Sequence, residues 1–99
     1  MSQDPVKVAP HAYKTLLEND RVRVLDVRLK GGEKTVMHWH PANTVYALSA
    51  AKVKFTFPDG KSQEVEIKPG EPIWQEGGSH AAENMGTNEL HAVIVELKK

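Results

Sequence analysis

Apolar positions along the chain recur at every second residue in short runs, and turn residues separate the runs. In RVRVLDVRL, residues 21–29, Val22 and Val24 fall on one face while Leu25, Val27 and Leu29 fall on the other. That alternation is the mark of a half-buried strand. Lys30-Gly31-Gly32 ends it. TVMHWH is the next run, stopped by Pro41, which cannot donate to a ladder. TVYALS and KVKFTF follow, the latter alternating Val53, Phe55 and Phe57 against lysine and threonine. In Pro58-Asp59-Gly60 the proline presets φ and the glycine accepts a positive φ, so a hairpin is expected between KFTF and QEVEIK. After a second turn at Pro69-Gly70 come EPIWQ, SHAAEN and ELHAVIVEL. Seven or eight short strands with regular turns and no strong helical period predict an all-β sandwich or barrel. Near the start, AYKTLLEND has weak helical character and could equally be an extended arm. The expected division is an N-terminal arm over 1–20 and one β domain over 21–99.

Composition narrows the function classes. At 99 residues the chain is one domain near the low end of what a single core stabilises. Thirteen basic and thirteen acidic residues cancel, which removes the electrostatic case for nucleic acid or an anionic membrane surface. No apolar run approaches the roughly 20 residues needed to span a bilayer, and the polar start MSQDPVKVAP lacks the apolar stretch of a secretion signal. Cysteine is absent, in keeping with a reducing compartment. A cytoplasmic domain is the expectation. ELHAVIVELKK is apolar on both parities in its middle, which predicts burial on two sides, one against the core and one against a second copy in a homodimer.

Two of the five histidines lie one residue apart, in MHWH. On a strand, residues i and i+2 share a face about 7 Å apart, so His38 and His40 can converge while Trp39 points away. Two neutral imidazoles, each about 2.0–2.1 Å from one point, make a metal-ligand arrangement; the alternative is a pair of surface histidines on an exposed edge. A second cluster, GEPIWQEGGSHAAEN, brings paired glycines just ahead of His80 and places Asn84 four residues later. Taken alone, His80 reads as a turn histidine bonded to backbone.

Together the two clusters resemble the paired motifs of the cupin superfamily. Gly32, five residues and His38-Trp39-His40 match the first motif; Gly70, His80 and Asn84 match parts of the second. The resemblance spans roughly residues 21–97 and is similar in wording to short cupins labelled β-alanine degradation proteins, a label that specifies little chemistry. It implies a cupin-type double-stranded β-barrel, or jelly roll, of short antiparallel strands. It also implies a mononuclear site with His38, His40 and His80 as ligands to a divalent transition metal: Fe, Mn, Ni, Cu or Zn. The family's glutamate falls at Thr44, its later glycine at Ala51 and its second-motif proline at Glu76. A threonine hydroxyl is a poor ligand, so a dication would meet three neutral imidazoles and keep open positions, as a catalytic site does. The expected function is an enzyme of dioxygenase or isomerase type acting on a small chelating organic acid or carbonyl compound. The alternative is a non-enzymatic ligand- or metal-binding module. Because the ligands must be neutral, metal affinity is expected to fall as pH drops through about 6.5.

Other residues carry lesser expectations. Thr44, Tyr46 and Trp74 are candidate pocket residues, Thr44 and Tyr46 by sharing the family position's inward parity. Glu76, close to His80, is a candidate replacement carboxylate or base, set against the plainer reading of a solvated loop glutamate. Arg23 shares the parity of Leu25 and Val27, so an interior face there would call for a partnered or pocket-facing arginine. Asn84 and His91 read as structural.

Overall fold

The computed structural model describes residues 3–98. One turn of helix, α1 (Pro5–Val8), precedes nine strands. These are β1 (Tyr13–Glu18), β2 (Val22–Leu29), β3 (His38–His40), β4 (Asn43–Ala47) and β5 (Ala51–Thr56), then β6 (Ser62–Ile67), β7 (Pro72–Gln75), β8 (Gly78–Asn84) and β9 (Leu90–Leu97). They form two antiparallel sheets, one in the order β1-β2-β9-β4-β7 and the other β3-β8-β5-β6. The two sheets are not closed into one continuous barrel; they make an open jelly roll with the core between them.

The turn residues behave as their chemistry requires. Gly60, with φ 88°, closes the β5–β6 hairpin, and Gly70, with φ 81°, turns the chain into β7. The segment AYKTLLEND is extended from Tyr13 onward: β1 pairs with β2 through Tyr13↔Val27 and Thr15↔Leu25. Pairing against an eight-residue strand outweighs a weak local helical preference.

Register across the larger sheet stacks its inward residues in rows. Leu25, Ile94, Val45 and Ile73 form one apolar row, and Tyr13, Val27, Ala92 and Ala47 form the next. The row at the other side of Leu25 is polar: Arg23, Glu96, Asn43 and Gln75. A polar row on the core face is unusual and marks where the chemistry gathers.

Thr44, Tyr46 and Leu48 do not face inward. Asn43, Val45 and Ala47 are buried, while Tyr46 and Leu48 are about half exposed, at 47% and 48%. The inward parity carried over from the family's glutamate position fails, because Asn43, Val45 and Ala47 take the inward face of β4. The chain crosses between sheets at Pro41-Ala42, and alternation does not carry through that crossing.

Candidate functional site

A single strand pair builds the histidine cluster. β3 and β8 run antiparallel with His38 directly opposite His80 and His40 opposite Gly78. Opposed residues have Cβ atoms about 4.5–5.5 Å apart. His40 joins from the same face of β3, and Gly78 across from it adds no side chain to crowd the cluster. One ring nitrogen from each of His38, His40 and His80 lies within 4.8 Å of the others. Ring centroids are 4.9 Å apart for His38–His40 and for His38–His80, and 5.2 Å for His40–His80. His38 and His40 are buried, and His80 is largely so, tilted against Phe55 with centroids 4.8 Å apart.

Hydrogen bonds decide which nitrogens are free. His38 Nδ1 lies 2.9 Å from the Val36 carbonyl oxygen, which can only accept, so Nδ1 carries the proton. Its Nε2 is left with a lone pair, to which the Tyr13 hydroxyl donates at 3.1 Å. His40 Nδ1 donates to Glu96 Oε2 at 2.5 Å, leaving its Nε2 free. Burial pushes His38 down to about 4 and His80 to about 3, the neighbouring rings adding repulsion in both cases. Both are therefore neutral at ordinary pH, the form that ligates a cation. Burial, and then the Glu96 carboxylate, push the Tyr13 phenol above its ordinary range, so it stays a donor.

Behind His40 runs a line of charge. Glu96, 2% exposed, accepts from Arg23 Nε at 2.9 Å, and Arg23 reaches on to Asp4 at 3.1 Å. Arg23 is thus partnered, and it does not line the cavity between the sheets. Three imidazoles do not leave a cation facing only neutral groups, because a buried carboxylate stands behind one of them. Such an outer carboxylate fixes the histidine tautomer and raises its basicity. Glu96 was readable in principle: it is a charged residue on the core parity of Leu90, Ala92 and Ile94.

Asn43 holds the inward position closest to the one the family gives its glutamate. It is 1% exposed; its Nδ2 donates to the Pro41 carbonyl at 2.9 Å, while its Oδ1 has no partner among the described residues. With three imidazoles converging on one point, the donor set suits a divalent transition metal.

A cavity of about 510 Å3 lies between the sheets, lined by His40, His80, Tyr13 and Asn43 at its polar part and by apolar side chains such as Val53, Phe55 and Ile67 elsewhere. Trp74 and Glu76 border its edge with exposed side chains, and the indole Nε1 donates to Glu76 Oε2 at 2.6 Å. Thr44 and Tyr46 do not border it; the Thr44 hydroxyl donates to the Ile73 carbonyl at 3.2 Å. Asn84 is fully buried and structural, donating to the Leu29 and Asn88 carbonyls at 2.9 Å. His91 is occupied with Asp26 at 2.7 Å, on the outer side of β9.

The arrangement of the two sheets matches that of a solved cupin domain from Bordetella pertussis Tohama I with a TM-score of 0.80 and 25% identity, covering 88% of this chain and 92% of that one. The chain has the cupin fold. A double-stranded β-helix domain protein from Klebsiella pneumoniae matches at a TM-score of 0.67 and 22% identity, over 86% of this chain and 70% of that one. The polyketide cyclase RemF from Streptomyces resistomycificus matches at 0.63 and 21%, over 88% and 64%. At these identities the likeness to the last two is one of fold. No family model matches the chain, and neither does any curated protein. Among the described residues no helix is long and apolar enough to cross a membrane.

Proposed function

We propose that this cupin is a metal-dependent enzyme whose mononuclear site is held by His38, His40 and His80. The observation that carries the reading is the convergence of three ring nitrogens within 4.8 Å, two of whose rings, His40 and His80, border a cavity. A bound divalent transition metal would supply Lewis-acid polarisation of a coordinated oxygen and, for iron, access to oxygen chemistry. The protein's own part is to present the two Nε2 lone pairs through the Val36 carbonyl and Glu96, and to enclose the ligand in a mainly apolar space. Between an organic acid and a carbonyl compound, the cavity favours the carbonyl compound, since no lysine or arginine borders it among the described residues. Dioxygenase or isomerase chemistry on such a compound remains the favoured class. The β-alanine label rests on similarity of sequence wording alone and enters no further step.

The second reading is a binding module without turnover. It is favoured by one fact: among the described residues the only carboxylate bordering the cavity, Glu76, is exposed and engaged with Trp74. Oxygen uptake by the iron(II)-loaded protein with small diones and hydroxyketones separates the two, uptake supporting the enzyme and its absence with every compound supporting the module.

The metal itself is tested first. Elemental analysis after loading is expected to give one metal per chain, and His38→Ala to retain less than about a tenth of it. Free metal at a hundredfold excess over its Kd should add about 2.7 kcal/mol of stability, reversed by chelation. An unchanged metal content in His38→Ala would refute the assignment.

We also propose that the protein is a homodimer through the outer face of the larger sheet. Leu17, Val24, Val95, Thr44 and Trp74 form a cross-sheet row there, with Leu17 and Trp74 about half exposed at 51% and 53%. Sedimentation should give twice the 11.0 kDa chain mass, and Val95→Lys should halve it. A wild-type monomer at micromolar concentration excludes the dimer.

A further inference from the structure

We infer that the Tyr13 hydroxyl is a displaceable cap on His38. It holds the Nε2 lone pair in the metal-free protein and gives that nitrogen up when a cation binds. Tyr13 thereby sets the metal affinity below what three open imidazoles would give. The inference rests on the three-histidine site proposed above and extends it to the residue that controls its third nitrogen.

The first observation is which side chains face the space between the sheets. His40 and His80 line the cavity, and so does Tyr13, whereas His38, fully buried, does not. The Tyr13 ring meets His38 edge-on with centroids 5.0 Å apart and lies tilted against His40 at 5.6 Å. It therefore packs against both candidate ligands of β3. Its hydroxyl ends on the one of the three histidines that has no place in the cavity wall.

The second observation is how the nitrogens of His38 are used. Each ring nitrogen of a neutral imidazole carries either a proton or one lone pair. A lone pair that accepts a hydrogen bond cannot also coordinate a cation. Nδ1 holds the proton, with the Val36 carbonyl at 2.9 Å to accept it and the Thr35 hydroxyl further off at 3.4 Å. Only Nε2 is left for a metal, and Tyr13 occupies it at 3.1 Å. Coordination ends that bond. Among the described residues the Tyr13 hydroxyl makes no other hydrogen bond, so the loaded form leaves a buried donor without a protein acceptor. That penalty weakens metal binding.

The same bond serves the metal-free protein. It satisfies an acceptor that would otherwise be buried and empty, and with the Val36 carbonyl it fixes the imidazole from both nitrogens. The sign of the effect follows. Removing the hydroxyl raises the free energy of the metal-free form and relieves the loaded one. Loss of the cap tightens binding, whereas loss of a ligand or of a supporting residue would weaken it.

Zinc affinity is measured by competition with a chelating dye, for wild type and for Tyr13→Phe, which keeps the ring and removes only the hydroxyl. The variant should bind zinc at least about fivefold tighter than wild type. A second readout uses wild-type protein labelled with 13C at the tyrosine Cζ. Zinc should move the Tyr13 resonance upfield, as its proton loses the His38 acceptor, and leave that of the half-exposed Tyr46 in place. This measurement does not depend on the variant's folding. A Tyr13→Phe affinity equal to or below that of wild type overturns the cap, and so does a Tyr13 resonance that bound zinc leaves unmoved. If neither protein takes up zinc, the three-histidine site itself is refuted and the cap falls with it. Zinc uptake by wild type with no gain in Tyr13→Phe removes the cap alone and leaves the site standing.

Discussion

Glu96→Gln lowers metal affinity by about 10- to 100-fold and destabilises the metal-free protein by about 1–3 kcal/mol. The change is nearly isosteric, so the effect is one of hydrogen-bond polarity. Glu96 uses one oxygen to accept from Arg23 and the other to accept from His40 Nδ1. A glutamine has one oxygen and one NH2 to offer those two donors. If the NH2 faces Arg23, two donors oppose each other beside a guanidinium. If it faces His40, it can only donate, so the imidazole must move its proton from Nδ1 to Nε2. That proton then occupies the nitrogen proposed to ligate metal. Either arrangement weakens the site without emptying the core. Metal titration beside urea unfolding of the chelated protein checks both numbers, and 15N shifts of the His40 ring report the tautomer directly. If metal affinity is unchanged while the ring keeps its proton on Nδ1, Glu96 is merely a partner for Arg23.

The same residue shows how far the sequence could be read. Strand alternation from Val22 to Leu29 and the Pro58-Asp59-Gly60 turn were legible, because local pattern alone determines which face each residue takes. The pairing of His38 with His80 was reachable only through resemblance, since nothing in either segment states that β3 and β8 are neighbours. Thr44 was misplaced because its inward parity came from the family's glutamate position, whereas the crossing between sheets at Pro41-Ala42 puts Asn43 on the inward face of β4. Tyr13 was hidden in a segment whose local preference was ambiguous, and only pairing with β2 carries its hydroxyl to His38. Glu96 and Arg23 each broke the apolar pattern on a core parity. Two opposite charges on core faces invite pairing, and that signal was present but needed the β2–β9 register, Arg23↔Glu96, to become a contact. Residues whose role is set by their own strand were visible; those whose role is set by a partner strand were not.

Acid unfolding of the metal-free protein should begin below about pH 6.5 and steepen toward pH 5, with the uptake of about two protons. Burial holds His38 at about 4 and His80 at about 3 in the folded state, while both return to about 6.5 when unfolded. Between those values the unfolded chain binds protons that the folded one refuses. Stability from the neutral rings is therefore complete above about 6.5 and declines as pH falls toward 4. It is exhausted once His80 also protonates in the folded state. Two protons correspond to a slope of about 2.7 kcal/mol per pH unit near pH 5, and His38 alone accounts for on the order of 3 kcal/mol at the limit. Against a typical total of about 5–15 kcal/mol, that is enough to unfold a small domain. Asp4 and Asp26, held low by Arg23 and by His91 respectively, add a further loss only below about 4. The competition between protons and metal moves with the same shifts: for His38 and His80 it sets in near 4 and below, lower than the 6.5 of free histidine. Urea unfolding in chelator at pH 7.5, 6.0, 5.0 and 4.5 measures the slope, and His80→Gln should roughly halve it by removing one of the two protons. Stability that stays level from pH 7.5 to 4.5 would mean the rings are charged or solvated in the folded protein, and the cluster could then not be the neutral donor set that a cation requires.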